Sequence, residues 1–119
     1  MNSKPFLPLA PHVFEILLAL SQGPRHGYGI LSEIRERTEG EVDLGTSSLY
    51  ATIRRLLADG LVTDASRHPD EQSAGPPRRY YRLTNLGAEV VRAEALRLRR
   101  TASAAERLLG DVPAGGSRS

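Results

Sequence analysis

Apolar residues recur at helical spacing along four stretches of the chain. Val13, Ile16, Leu17 and Leu20 form an i, i+3, i+4, i+7 stripe that predicts a first helix from Pro11–His12 to about Gln22. Phe14 and Leu18 lie off that stripe, so this helix is apolar on nearly every side and needs cover on both flanks. Gly23-Pro24 breaks it. A second helix is expected over residues 27–38, with Tyr28, Leu31 and Ile34 inward, His26 as a cap and Gly40 as its stop. Residues 41–44 leave room for a very short strand. Leu49, Ile53, Leu56 and Leu57 then set a third helix between an N-cap at Gly45 or Thr46 and a terminator at Gly60.

Beyond Gly60 the period changes. Residues 61–66 and 78–83 are strand-like, and the polar stretch RHPDEQSAGPP between them reads as a long hairpin tip. Thr84 is the expected N-cap of a last helix that reaches Leu109. Within it Val91, Ala95, Leu98, Ala102, Ala105 and Leu109 alternate steps of four and three, a heptad seam whose alanines allow close helix approach. Leu86, Val90, Ala93 and Leu96 make a second stripe. Two stripes predict two partners: the helix's own domain and a second copy of the chain. The expected organisation is an extended arm over residues 1–11, a domain over 12–83, a dimerisation helix over 84–109 and a disordered tail over 110–119.

The third helix carries an unusual outward face. Opposite its apolar stripe stand Ser47, Ala51, Arg54 and Ala58, flanked by Ser48 and Arg55, with no acid before Asp59. A solvated helix face commonly mixes Glu and Lys at four-residue spacing; this one offers small groups, hydroxyls and two adjacent guanidiniums. Three helices followed by a two-stranded hairpin is the winged helix-turn-helix order, so the expected fold is mainly α (α+β), with a long C-terminal dimerisation helix. In that architecture the third helix enters the DNA major groove and the wing reaches neighbouring backbone or minor groove. Ser47, Ser48 and Ala51 let a duplex approach, while Arg54 and Arg55 reach phosphates or guanine edges. Tyr50 sits at the margin of the buried face with its hydroxyl free to meet a phosphate. Arg78 and Arg79 are the wing candidates, with Arg67 and His68 as weaker ones. Tyr28 is expected in the core, with a phosphate contact through its hydroxyl.

Composition narrows the alternatives. With 119 residues the chain is one domain with a modest core. It has no cysteine, which excludes disulfides, thiolate metal sites and a Cys nucleophile. Its longest apolar run, Ile16–Leu20, is too short for a membrane span, and no export signal is visible, so a cytoplasmic protein without a membrane partner is expected. Net charge is only +2, and all but one of the 16 basic residues are arginine, so placement rather than bulk charge has to identify a partner. The motif Gly27-Tyr-Gly-Ile-Leu-Ser32 lacks the third glycine and the preceding strand of a dinucleotide fingerprint. Gly45-Thr-Ser-Ser48 lacks the second glycine of a nucleophile elbow. No catalytic constellation, metal site or cofactor is expected.

Three blocks together resemble a known family. PRHGYGI (24–30), SSLYATIRRLLADGLV (47–62) and RRYYRLTNLG (78–87) are similar to the signature blocks of the phenolic acid decarboxylase regulator (PadR) family, in its order and spacing. All four tyrosines fall inside them. The resemblance implies a homodimeric transcription regulator, usually a repressor, that binds double-stranded DNA at an inverted repeat and has a single C-terminal helix in the dimer. Phe14 and Leu18 join the seam residues as dimerisation candidates, and a small-molecule effector between the dimer's helices is a further implied partner. Two departures stand out. Thr46-Ser47-Ser48 occupy the place of the common Pro-Gly-Thr, leaving Thr46 with a capping hydroxyl, and the absence of tryptophan rules out a tryptophan-lined effector pocket. The alternative function is a winged-helix protein-interaction module without DNA binding, favoured only by the near-neutral charge.

Overall fold

A computed structural model describes residues 2–65 and 79–110. A short 3-10 turn (Lys4–Phe6) leads into helix α1 (Pro11–Leu20), in which proline occupies the first helical turn, where its missing N–H costs nothing. Helix α1 buries Ile16, Leu17, Ala19 and Leu20 completely or nearly so. It ends two residues before the expected Gln22, because both the backbone N–H and the hydroxyl of Ser21 donate to the Leu18 carbonyl (3.1 and 2.6 Å).

An unexpected strand follows. Strand β1 (Arg25–His26) pairs antiparallel with β3 (Tyr80–Leu83), Arg25 opposite Tyr81 and His26 opposite Tyr80. Strand β2 (Val62–Ala65) flanks β3 on its other side, giving the order β1-β3-β2. Residues 41–44, where a short strand was expected, carry none. Helix α2 (Gly27–Arg37) is capped by His26, whose Nδ1 accepts the Gly29 N–H at 3.1 Å. Its buried stripe is Gly27, Ile30, Leu31 and Ile34. Tyr28 lies a full helical step off that stripe and is 74% exposed, which corrects its expected core position. The Thr38 hydroxyl closes the helix by donating to the Ile34 carbonyl (2.8 Å) and accepting the Val42 N–H (3.1 Å).

Helix α3 (Thr46–Ala58) buries Leu49, Ile53 and Leu56, as its period requires. Its N-cap is Gly45, one of the two expected positions; no side-chain cap bond forms, and Thr46 is the first helical residue. Gly60 turns the chain out of α3, and the Leu61 N–H donates back to the Leu56 carbonyl.

Helix α4 (Asn85–Leu109) starts at a tight junction. The Thr84 hydroxyl accepts the Gly87 N–H (3.0 Å) and donates to the Gly60 carbonyl (2.6 Å), while its own N–H donates to the Leu61 carbonyl. A Cβ at position 87 would run into that same Leu61 carbonyl, so only glycine fits there. Helix α4 contributes Val90, Val91 and Glu94 to the buried interior. Past Glu94 nearly every residue is exposed, though a helix of this length spans about 37 Å.

The N-terminal arm is part of the core rather than free. Phe6, Leu7 and Leu9 pack against the buried cluster. Glu94 is 1% exposed; one carboxylate oxygen accepts the Leu9 N–H (3.1 Å), and both accept from Arg97 (2.7 and 2.9 Å). The Arg97 hydrogen bonds hold the Glu94 carboxyl below its ordinary range; burial opposes the shift and the Leu9 amide adds to it. A carboxylate depressed in the folded state contributes stability above its unfolded pKa and loses it as pH falls through the folded one. Glu94→Gln is expected to cost about 1–2 kcal/mol at neutral pH by urea denaturation and to flatten the stability loss below about pH 4.

Candidate nucleic-acid interface

Once its apolar stripe is buried, α3 turns Ser47, Ser48, Tyr50, Ala51, Arg54 and Arg55 outward with Thr46, and all seven are exposed. No acidic residue occurs between Thr46 and Ala58. Among the described residues neither Arg54 nor Arg55 has an ion pair, in contrast to arginines elsewhere in the molecule. Arg37, for example, is bound to Glu33 (2.8 Å) and Glu15 (2.7 Å), and these carboxylates hold its guanidinium above its usual range. The α3 face is therefore small, hydroxylated and cationic, with its charges uncommitted.

Tyr50 connects this face to α2. Its hydroxyl rests against Gly27, in the place that a Cβ would need. The first turn of α2, with exposed Tyr28, thus stands directly beside the recognition face.

The wing completes the surface. Asp64 lies opposite Tyr81 across the β2–β3 pair, and Arg79 lies two residues before Tyr81 on the same face of the strand. Arg79 donates through Nη2 to Asp64 Oδ1 at 2.6 Å, and its guanidinium lies 5.5 Å from the Tyr81 ring centroid. The Asp64 hydrogen bond is the main reason its affinity for protons is raised further. The exposed wing cation is thus pre-aimed rather than free. Arg78, Arg67 and His68 lie outside the described residues. His26 meets Tyr80 edge-on, with ring centroids 5.2 Å apart.

The seam residues divide. Val91 is 6% exposed and packs in the protomer's own core. Phe14 and Leu18 are half-buried against that core. Ala95, Leu98, Ala102 and Leu109 face outward, and Ala105 is half-buried. Sequence reasoning missed Asp64, Tyr81 and Glu94. Their only signals were the Tyr-Tyr doublet, too short to show which ring would be covered, and single acids that resemble ordinary surface residues.

Among the described residues no group of acids and histidines could hold a metal, and no helix is long and apolar enough to cross a membrane.

A family model described as the transcriptional regulator PadR-like family matches residues 16–93. A PadR family transcription regulator from Clostridium difficile is 28% identical, with 82% of this chain and 97% of that one covered and a TM-score of 0.69. PadR from Bacillus subtilis, solved in complex with operator DNA, shares the fold at 20% identity and a TM-score of 0.60, with 94% of this chain and 54% of that one covered. An uncharacterised protein of Lysinibacillus sphaericus is 34% identical over 77 residues, 64% of this chain and 68% of that one.

The contact between Tyr50 and Gly27 makes a specific expectation. Gly27→Ala is expected to destabilise the chain by about 1–3 kcal/mol in chemical denaturation. In a Tyr50→Ala background the same change is expected to be close to neutral, a coupling that a double-mutant cycle measures directly.

Proposed function

The chain belongs to the PadR-like family of transcriptional regulators, and we propose that it acts as a repressor that binds inverted-repeat operator DNA as a homodimer. The observation that carries this reading is the acid-free outward face of α3, where Ser47, Ser48 and Ala51 leave room for a duplex beside the unpaired Arg54 and Arg55. In the major groove these guanidiniums reach guanine O6 and N7 or flanking phosphates. Arg79, bonded to Asp64, serves the adjacent backbone. The operator complex of the Bacillus subtilis protein, which shares the fold, supports DNA as the partner.

Pairing of two copies through α4 accounts for the exposed apolar residues of its seam: Leu98 is 40% and Leu109 78% exposed. Two α3 helices set about 34 Å apart by such a dimer read successive turns of one DNA face. A cleft of about 350 Å³ between α1 and α4, lined by Leu18, Leu83, Val91 and Ala95 among others, is the candidate effector site beside that seam. Occupying a promoter is the whole of the action, performed in the cytoplasm without chemistry.

Replacing Arg54 and Arg55 together by Ala is expected to abolish specific gel shifts of the chain's own promoter while light scattering still reports a dimer. Full operator affinity in that variant would refute the assignment of α3. Operator affinity of the parent is expected to fall on the order of a thousandfold between 50 and 200 mM salt. Leu98→Glu is expected to yield monomers by light scattering and to weaken operator binding in parallel.

A further inference from the structure

The buried stripe of α4 contains one charge. Gly87, Val90, Val91 and Glu94 fall at i, i+3, i+4 and i+7, so Glu94 stands where the period calls for an apolar side chain. It is also the last buried residue of the helix. Its Oε2 accepts the Leu9 N–H (3.1 Å) and Arg97 Nη2 (2.9 Å), and its Oε1 accepts Arg97 Nε (2.7 Å). The Leu9 bond joins residues 85 positions apart. Leu9 packs against the buried cluster and lies two residues before Pro11, where α1 begins. The bond therefore ties the entry of α1 to α4 at the point where α4 leaves the domain.

Stability alone does not explain a charge at this position. Apolar residues of similar volume commonly serve as well as a buried ion pair, or better. Directional bonds supply what packing does not. The Leu9 amide fixes Glu94 both along the helix axis and around it. Arg97, bound through two nitrogens, carries the hold into the first exposed turn. Beyond this latch the helix is a lever: Glu94 to Leu109 spans about 22 Å, and most of its residues are exposed. A tilt of about 10° at the latch moves the far end by about 4 Å, close to one base-pair step of DNA.

We infer that Glu94 is a positioning residue for DNA binding: its bonds to Leu9 and Arg97 set the angle at which α4 leaves the domain, and so the half-site spacing that the two α3 helices of a dimer accept. The inference rests on the proposed pairing of two copies through α4. Glu94 touches no DNA in this role and acts through the helix that carries it. The N-terminal arm becomes part of the spacing device, because its backbone supplies the bond that reaches Glu94 from outside α4.

The test uses the full chain with Glu94→Met, whose apolar side chain completes the stripe, and Glu94→Gln, which keeps an acceptor for Leu9. Thermal melts establish which variants fold. The chain has no cysteine, so Ala58→Cys at the exposed end of α3 takes one spin label per protomer. Pulsed dipolar spectroscopy of the dimer then reads the distance between the two α3 helices without DNA. Parental Glu94 is expected to give one narrow distance; Glu94→Met is expected to shift or broaden it by about 4 Å, and Glu94→Gln by less. Binding is measured on duplexes that carry the selected half-sites with the spacer changed one base pair at a time. The parent is expected to prefer one spacer. In Glu94→Met its affinity for that spacer is expected to fall about tenfold, and the preference to flatten, because the competent angle is populated about a tenth of the time. A loss shared equally by all spacers marks a merely structural residue and overturns the inference. An unchanged distance and spacer preference in every variant that folds overturns it too, and leaves the DNA reading standing. A parent without a dipolar signal overturns the dimer and this inference together. A parental dimer that selects no duplex overturns the DNA reading, and with it the role of Glu94.

Discussion

The pairing of two residues, Arg25 and His26, with Tyr81 and Tyr80 is the constraint on which the rest of the molecule depends. It turns β3 into a central strand, and a central strand packed on both faces buries both of its tyrosines. The same two residues act through their side chains. Arg25 Nε donates to the Ala19 carbonyl (2.9 Å) near the end of α1, and His26 caps α2. A single short strand thus fixes the end of one helix, the start of the next and the root of the wing. The contact of Tyr50 with Gly27 then carries α3 into the same frame.

A second junction ties the far side together. Thr84 bonds the turn after α3 and the start of α4 in one residue, so the long helix leaves the domain at a fixed angle. The exposed Arg79–Asp64 pair differs in kind from these buried contacts. Both partners are well solvated, and such a pair adds little to stability. Its consequence is orientation: it keeps a guanidinium over the Tyr81 ring at the edge of the recognition surface.

Much of this was legible in the sequence, and the rest failed for identifiable reasons. The apolar stripe of α3 and the cap at Thr84 follow from local rules, and both occur where the pattern puts them. Strand β1 was invisible, because two residues have no period and their conformation is set by a partner more than fifty residues away. Tyr28 was misplaced because its spacing to Leu31 and Ile34 suits the core; Gly27 and Ile30 complete that stripe instead, leaving the ring outside. Val91 fits both a heptad and the protomer's own core, and the core takes it. Glu94 reads as one more charge on a surface helix, and only the folded arm reveals why it is buried.

The arginines of the recognition surface have a further consequence. The cations Arg54, Arg55 and Arg79 are all arginines, and Lys4, the chain's single lysine, lies in the N-terminal arm. Acetylation, which silences cationic surfaces by neutralising lysine amines, therefore finds no target on this face. The charge of this face is set at translation, and any later control over it has to act by a route other than neutralising lysine.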